Sequence, residues 1–233
     1  MMTFLDLPPE SWTAILLSVR IALVATLVAL PFAIAFAWLL ARIAFPGKMI
    51  LDALIHLPLV IPPVVTGYLL LLSFGRQGWI GAALNEIGIS FAFRWTGAAL
   101  ACGIMAFPLI VRPIRLSFET MDRRYEAAAA TLGANPFRVF LTISLPLALP
   151  GIISGAMLGF ARALGEFGAT ITFVSNIPGE TQTIASAIYV LTQSPGGDRA
   201  ALTLTLISIL LAFVALIASD VLARRAAKRV RGE

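Results

Sequence analysis

Five long apolar stretches constrain this chain more than any other feature of its sequence. They lie at about residues 13–41, 49–74, 95–111, 147–174 and 200–222. A membrane-spanning helix needs about 20 apolar residues, so each stretch is long enough, or nearly so, to cross a bilayer. Charged residues make up only 12% of the chain, which is about half the share found in soluble domains. The sequence therefore predicts an all-α membrane protein with about five transmembrane helices.

The basic residues predict how these helices are oriented. Twelve of the 17 Lys and Arg residues flank the first and third loops or lie in the C-terminal tail, whereas three lie at the second and fourth loops. Cytoplasmic segments are enriched in Lys and Arg. We therefore expect the N-terminus outside and the C-terminus in the cytoplasm, with a cytoplasmic loop at about 112–146 and an external loop at about 175–199.

The composition also excludes several kinds of site. The net charge of +5 lies at the ends of apolar stretches, next to the lipid bilayer, and does not indicate a nucleic-acid partner. The chain has one cysteine, Cys102, and one histidine, His56. A disulfide framework is therefore not expected, and neither is a metal site that needs two cysteines or two histidines. We predict no metal and no cofactor.

The cytoplasmic loop predicts two short helices. Residues 126–132 are strong helix formers, and Gly133 follows them. Glycine tolerates the left-handed conformation found just past a helix C-terminus, so Gly133 is placed to end the first helix. Asn135 can cap a second helix that begins at Pro136, where the missing N–H costs nothing. From the residues alone, two interpretations stay open: an interfacial connector, or a slim helix that docks into a groove of another protein.

The same loop resembles the EAA motif of ABC importer permeases, in which Glu-Ala-Ala, three residues and Gly precede nine residues and Ile-x-Leu-Pro. Gly133, Ile143 and Pro146 match the second half of this pattern. Glu126 lies one place ahead of the register of the first half. The resemblance implies that the loop couples the chain to a separate cytoplasmic ATP-binding subunit. The residues implied for this contact are Glu126, Ala127, Ala128, Gly133, Ala134 and Asn135.

Longer blocks resemble the molybdate importer permeases: LPLVIPPVVTGY at 57–68, GRQG at 75–78 and ARALGEFGATITFVSNIPGET at 161–181. The resemblance implies a MetI-like ABC importer permease in the cell inner membrane, with two ATP-binding subunits and an external (periplasmic) molybdate-binding protein as partners. Five helices are few for a complete pathway, which favours a homodimer. The residues implied for contact with the binding protein are Asn176, Gly179, Glu180 and Thr181.

The resemblance implies a transport subunit and not an enzyme. In agreement, the sequence contains no G-x-x-x-x-G-K-[ST] loop that could cradle the phosphates of ATP. Hydrolysis is therefore expected in the partner subunit. Tungstate and sulfate stay open as alternative substrates, because they are tetrahedral dianions of similar shape to molybdate.

Three prolines interrupt the second apolar stretch. Pro58, Pro62 and Pro63 each remove a backbone donor and disfavour helix in the preceding residue. Broken backbone at membrane depth is tolerated only where protein or a water-filled cavity receives the freed polar groups. Two interpretations follow, a structural kink or a segment that lines the translocation pathway. The residues of such a segment would be Pro62, Pro63, Thr66 and Gly67.

Arg162 and Glu166 lie one helical turn apart inside the fourth apolar stretch. A charge at the bilayer centre costs about 2.5–3.5 kcal/mol on insertion scales, so neither should face lipid. A mutual ion pair would neutralise both side chains. The pair is then structural, or Arg162 adds positive potential to an anion pathway. In an alternative from another functional class, Glu166 is the proton site of a proton-coupled secondary transporter.

Overall fold

The computed structural model describes residues 9–231, and every regular element in that range is a helix. The first half contains α1 (Pro9–Arg42), α2 (Lys48–Val60), α3 (Pro63–Phe74), α4 (Trp79–Glu86) and α5 (Trp95–Thr120). The second half contains α6 (Arg124–Thr131), α7 (Pro136–Val139), a π-helix (Phe140–Ser144), α8 (Leu145–Leu147), α9 (Leu149–Leu164), α10 (Gly168–Val174), α11 (Ile184–Thr192) and α12 (Asp198–Arg231). The predicted all-α architecture is confirmed.

Three of the described helices, α1, α5 and α12, are long and apolar enough to cross a membrane by themselves. Two bent helix pairs raise the number to five if each pair crosses as one span. One pair is α2 with α3, and the other is the segment Pro136–Leu147 with α9. Counted in this way, the helices agree with the predicted number, and their orientation stays a prediction from the positive charges.

The second apolar stretch forms two helices with a sharp bend between them. The axes of α2 and α3 are bent by 112° at the break. Ile61 there has an extended backbone (φ −78°, ψ 147°), as expected for a residue before proline. Pro63 opens α3 at its first position, where a missing N–H removes no helical hydrogen bond. Pro62 and Pro63 therefore determine where the span breaks, whereas Pro58, which was expected to interrupt it as well, lies inside α2.

The centre of the fold is α5, which packs against α1 on one side and against α9 on another. Small residues bring α9 close, because Gly151, Gly155 and Gly159 recur every four residues and face α5. A Cβ built on Gly155 would lie 2.6 Å from the carbonyl oxygen of Ile110. Such a stripe lets two helix backbones approach closely. Within this one chain, α5 is therefore the partner of the glycine stripe.

Two predicted boundaries differ from the structure. The third stretch, expected to end at residue 111, continues as α5 to Thr120, so the helix extends into the range predicted for the cytoplasmic loop. In this extension, Arg115 pairs with Asp52 of α2 at 2.8 Å and with Glu119 at 2.7 Å. The fourth stretch, expected at 147–174, is bent by 67° before α9 and broken again between α9 and α10.

We expect Gly155→Ala to lower the free energy of unfolding by about 1–3 kcal/mol, the usual cost of overpacking a close contact. Thermal unfolding in detergent would measure this effect. The matched control is Gly103→Ala on α5, where a Cβ would meet its nearest neighbour, Ala25 O, at an ordinary 3.5 Å. Alanine favours a helix over glycine by about 1 kcal/mol, so the control should be neutral or stabilising. Equal stability of the two variants would contradict the close packing of α9 on α5.

Candidate functional site

The cytoplasmic loop folds into α6, a tight turn, α7 and the π-helix. Gly133 occupies the turn with φ +79°, a conformation that favours glycine. The Oδ1 atom of Asn135 accepts a hydrogen bond from the Arg138 N–H at 2.8 Å and so caps α7. Pro136 is the first residue of α7. The described structure thus contains the two short helices at the positions that their capping residues indicate.

This loop exposes apolar side chains that the sequence analysis did not single out. Leu132 is 88% exposed and Phe137 is 70% exposed, on either side of the Gly133 turn. Ala127 and Ala128 of α6 are exposed as well. Apolar groups gathered at one surface often mark a protein interface. The signal available in the sequence was the presence of Leu and Phe in a polar, turn-rich segment.

Glu126 points toward the membrane part of the chain. Its Oε1 atom lies 3.1 Å from Nη2 of Arg42, the last residue of α1. The same oxygen accepts a hydrogen bond from the Ser144 hydroxyl at 2.7 Å. Ala134, which the motif also implies as a contact residue, is half-buried. It lines the same cavity as Glu126 and Arg42. These contacts lie within the chain, between the loop and the membrane helices.

The two broken stretches meet side by side at α3 and α10. A Cβ on Gly168, the first residue of α10, would lie 2.8 Å from Cβ of Pro63. A Cβ on Gly67 would lie 2.5 Å from the carbonyl oxygen of Ala169. The absence of side chains at these glycines therefore allows the half-helices to pack in parallel. Thr66 in the first turns of α3 is buried, and its hydroxyl has no hydrogen-bond partner within the described residues.

Arg162 and Glu166 form an ion pair with a distance of 2.6 Å between Nη1 and Oε2. The Glu166 side chain is 1% exposed, whereas that of Arg162 is 26% exposed. The second carboxylate oxygen of Glu166 accepts a hydrogen bond from the Ala169 N–H at 2.8 Å. Glu166 therefore stabilises the start of α10 and neutralises Arg162 with the same carboxylate.

The segment after α10, which is predicted to be external, has a buried part and an exposed part. Thr181 is 1% exposed, and its hydroxyl accepts a hydrogen bond from the Ile177 N–H at 2.9 Å. It therefore lies inside the turn and not on its surface. Gly179 and Glu180 are exposed, and Gly179 has φ +78°. Asn176 is half-buried, and its Oδ1 atom is buried without a hydrogen-bond partner in the described range.

The single cysteine and the single histidine are held within the fold. The Cys102 thiol is fully buried and lies 3.6 Å from the Ala163 carbonyl oxygen. The His56 Nδ1 atom lies 2.9 Å from the carbonyl oxygen of Asp52. Over residues 9–231, no three His, Cys, Asp or Glu side chains come together as a metal site.

Residues 11–231 match the family described as the binding-protein-dependent transport system inner membrane component. The chain belongs to this family. As a member, it is a multi-pass component of the inner membrane and a transport subunit, not an enzyme.

Relatives of this permease family extend the match along nearly the whole chain. The chain is 60% identical over 222 residues to the molybdenum transport system permease protein of Escherichia coli (strain K12), covering 95% of this chain and 96% of the relative. It is 54% identical over 219 residues to the protein of the same name from Haemophilus influenzae, covering 94% and 96%. The predicted resemblance to molybdate importer permeases is confirmed.

Solved structures agree with the family at the level of the fold. The bacterial alginate ABC transporter in complex with an alginate pentasaccharide-bound periplasmic protein matches with a TM-score of 0.75, at 17% sequence identity. The match covers 95% of this chain and 81% of that chain. The predicted MetI-like ABC importer permease fold is therefore confirmed.

Proposed function

We propose that this chain is the membrane-spanning permease subunit of an ATP-driven importer that moves molybdate across the cytoplasmic membrane. One observation carries the proposal: the similarity to molybdenum transport permeases covers 95% of the chain and so includes both the broken helices and the cytoplasmic loop. The proposed partners are two cytoplasmic ATP-binding subunits, a periplasmic molybdate-binding protein and a second copy of this chain.

The proposed docking surface for an ATP-binding subunit is formed by α6, the Gly133 turn and α7. The small side chains of Ala127 and Ala128 allow a partner to approach the α6 backbone closely, and exposed Leu132 and Phe137 would lose contact with water on docking. ATP binding would close the two partner subunits and draw the two loops of the homodimer together. That movement would switch the pathway from inward-facing to outward-facing.

The proposed pathway for the anion passes the break between α2 and α3. The first amide groups of a helix have no helical acceptor, and the helix dipole favours an anion at that end. At the start of α3, however, Pro62 and Pro63 have no N–H, and the Val65 and Thr66 N–H groups donate to the Pro62 carbonyl oxygen. This end therefore offers an anion the helix dipole, and the unpartnered Thr66 hydroxyl can donate to an oxyanion. Arg162 would add positive potential, while Gly67 lets α3 and α10 pack together beside the pathway.

At the outer side, we propose that Gly179 and Glu180 contact the molybdate-binding protein, since both are exposed on the external turn. Asn176 would join this contact through the exposed part of its half-buried side chain, because its Oδ1 atom is buried. Thr181 would support this contact indirectly, because its hydroxyl holds the turn together.

The function is tested by purifying the tagged chain with its partners and reconstituting the complex in liposomes. We expect uptake of molybdate that needs the binding protein and ATP and that persists when the proton gradient is collapsed. Parallel assays with tungstate and sulfate would rank the three dianions by their rates of uptake. Uptake that disappears with the proton gradient while ATP remains would contradict the proposal and favour a secondary transporter using Glu166.

A thiol introduced at Thr66 should react with a membrane-impermeant reagent in at least one nucleotide state. Thr66 is buried next to the break between α2 and α3 in this structure, and the proposed pathway would open there during the transport cycle. Thr66→Cys is measured in a Cys102→Ala background. The matched control is Leu70→Cys, one turn further along the same buried face of α3. Leu70 belongs to the apolar core and should stay unreactive. Protection of Thr66→Cys in every nucleotide state would exclude Thr66 from the pathway.

A further inference from the structure

The contacts of Glu126 point to a role other than docking. We propose that Glu126 is a positioning residue, which ties α6 to α1 and to the π-helix before α9, so that movement of the docked loop reaches the membrane helices. This inference rests on the proposed function of the loop and adds a division of labour within it. Exposed residues bind the partner, and Glu126 transmits the movement.

Two donors from different elements converge on one oxygen of Glu126. Arg42 approaches from the end of α1 at 3.1 Å and is only 8% exposed, so this ion pair is largely removed from water. Ser144 approaches from the end of the π-helix at 2.7 Å and is 1% exposed. Charge-assisted hydrogen bonds are stronger than neutral ones, and partial burial limits their screening by salt. The carboxylate therefore connects three elements that are far apart in sequence.

This connection matters because α6 has little other attachment. The structure gives α6 no buried residue. Beside Glu126 lies a cavity of about 300 Å³, lined by residues that include Trp38, Arg42 and Arg123. The Arg42 Nε atom is buried without a hydrogen-bond partner in the described range. Packing alone does not hold α6 here, so the ion pair and the Ser144 hydrogen bond carry the mechanical link.

The π-helix and α9 connect the contacts of Glu126 to the candidate pathway. Ser144 ends the π-helix, which is held by edge contact of Phe140 with Trp38 of α1, with ring centroids 5.8 Å apart. The chain then bends by 67° into α9. At the other end of α9, Arg162 pairs with Glu166. A displacement of α6 would therefore act on the bend through Ser144 and on α1 through Arg42. π-Helical turns are frequent at functional sites of this kind.

The inference is tested by comparing docking with transport in the reconstituted complex of Glu126→Gln. We expect the ATP-binding subunit to co-purify in the wild-type ratio and to hydrolyse ATP. Molybdate uptake per ATP hydrolysed should fall by about 5- to 150-fold, the range of a typical coupling free energy between two sites. Ser144→Ala keeps the ion pair and should give a smaller fall. The double charge reversal Arg42→Glu with Glu126→Arg should exceed Glu126→Gln in uptake per ATP.

The matched control is Asp122→Asn, which removes the same charge from the same loop. Asp122 accepts a hydrogen bond from the Arg124 N–H at 2.9 Å, and asparagine can accept it equally well. Uptake per ATP should stay at the wild-type value in this control. Loss of the ATP-binding subunit from Glu126→Gln would show that Glu126 is a docking contact, and unchanged uptake per ATP would remove the positioning role. If wild type itself brings down no ATP-binding subunit, the proposed function fails, and this inference fails with it.

Discussion

Replacing Gly133 with Trp is expected to release the proposed ATP-binding subunit from this chain. Gly133 has φ +79°, and no atom lies within 4 Å of the position that a Cβ would take. A tryptophan there would pay a backbone cost of about 1–2 kcal/mol for the left-handed conformation. Its ring would also project from the turn between α6 and α7, where the partner is proposed to bind. The measurement is the ratio of the two subunits after affinity purification in mild detergent.

The control for this variant has to carry the same backbone strain elsewhere. Gly88 lies between the second and third apolar stretches, in a loop that the distribution of Lys and Arg predicts to be external. It has φ +77° and no atom within 4 Å of a Cβ. Gly88→Trp should therefore retain the ATP-binding subunit in the wild-type ratio. Retention by Gly133→Trp as well would refute docking at this turn. Loss from both variants would instead show that the positive-φ substitution damages the fold, and Gly133→Ala would then separate strain from bulk.

Features governed by neighbouring residues could be predicted from the sequence. Gly133 ends α6 and Asn135 caps α7 because both rules depend on the conformation of a few adjacent residues. The break before Pro63 follows from local sterics in the same way. The number of spans follows from apolar length, provided that each bent pair is counted once.

Features that depend on residues distant in sequence could not be predicted. Glu126 lies one place ahead of a contact motif, but its partner Arg42 is 84 positions away and reaches it only in the folded chain. The third apolar stretch ends at residue 111, but α5 continues to Thr120, and its Arg115 pairs with Asp52 of another helix. Thr181 is a different case, because its partner Ile177 is only four residues away: the polar segment suggested an exposed residue, but the Thr181 hydroxyl accepts a hydrogen bond inside the turn. For Glu126 and Arg115, a contact with a residue distant in sequence decides whether the side chain faces water. For Thr181, the fold of the turn decides it.

Arg162→Met is expected to destabilise the chain severely. It would leave the Glu166 carboxylate, which is 1% exposed, without the guanidinium 2.6 Å away. Removing one partner of a buried ion pair costs about 3–5 kcal/mol, because the remaining charge stays out of water. The expected result is a low yield of folded protein and a lower midpoint of thermal unfolding in detergent. Arg162→Lys keeps the positive charge and should lose less stability.

The double variant Arg162→Met with Glu166→Gln separates the two interpretations of this pair. Neither substitute is charged. Glutamine keeps an oxygen that can accept the hydrogen bond from the Ala169 N–H, which Glu166 accepts at 2.8 Å. We expect the double variant to recover part of the stability, because it leaves no unpaired charge out of water. If Arg162 attracts the anion, uptake by the recovered complex should need a higher molybdate concentration and remain far below wild type. Wild-type uptake by the double variant would show that the pair is structural, because the positive charge would then contribute nothing to the passage of the anion.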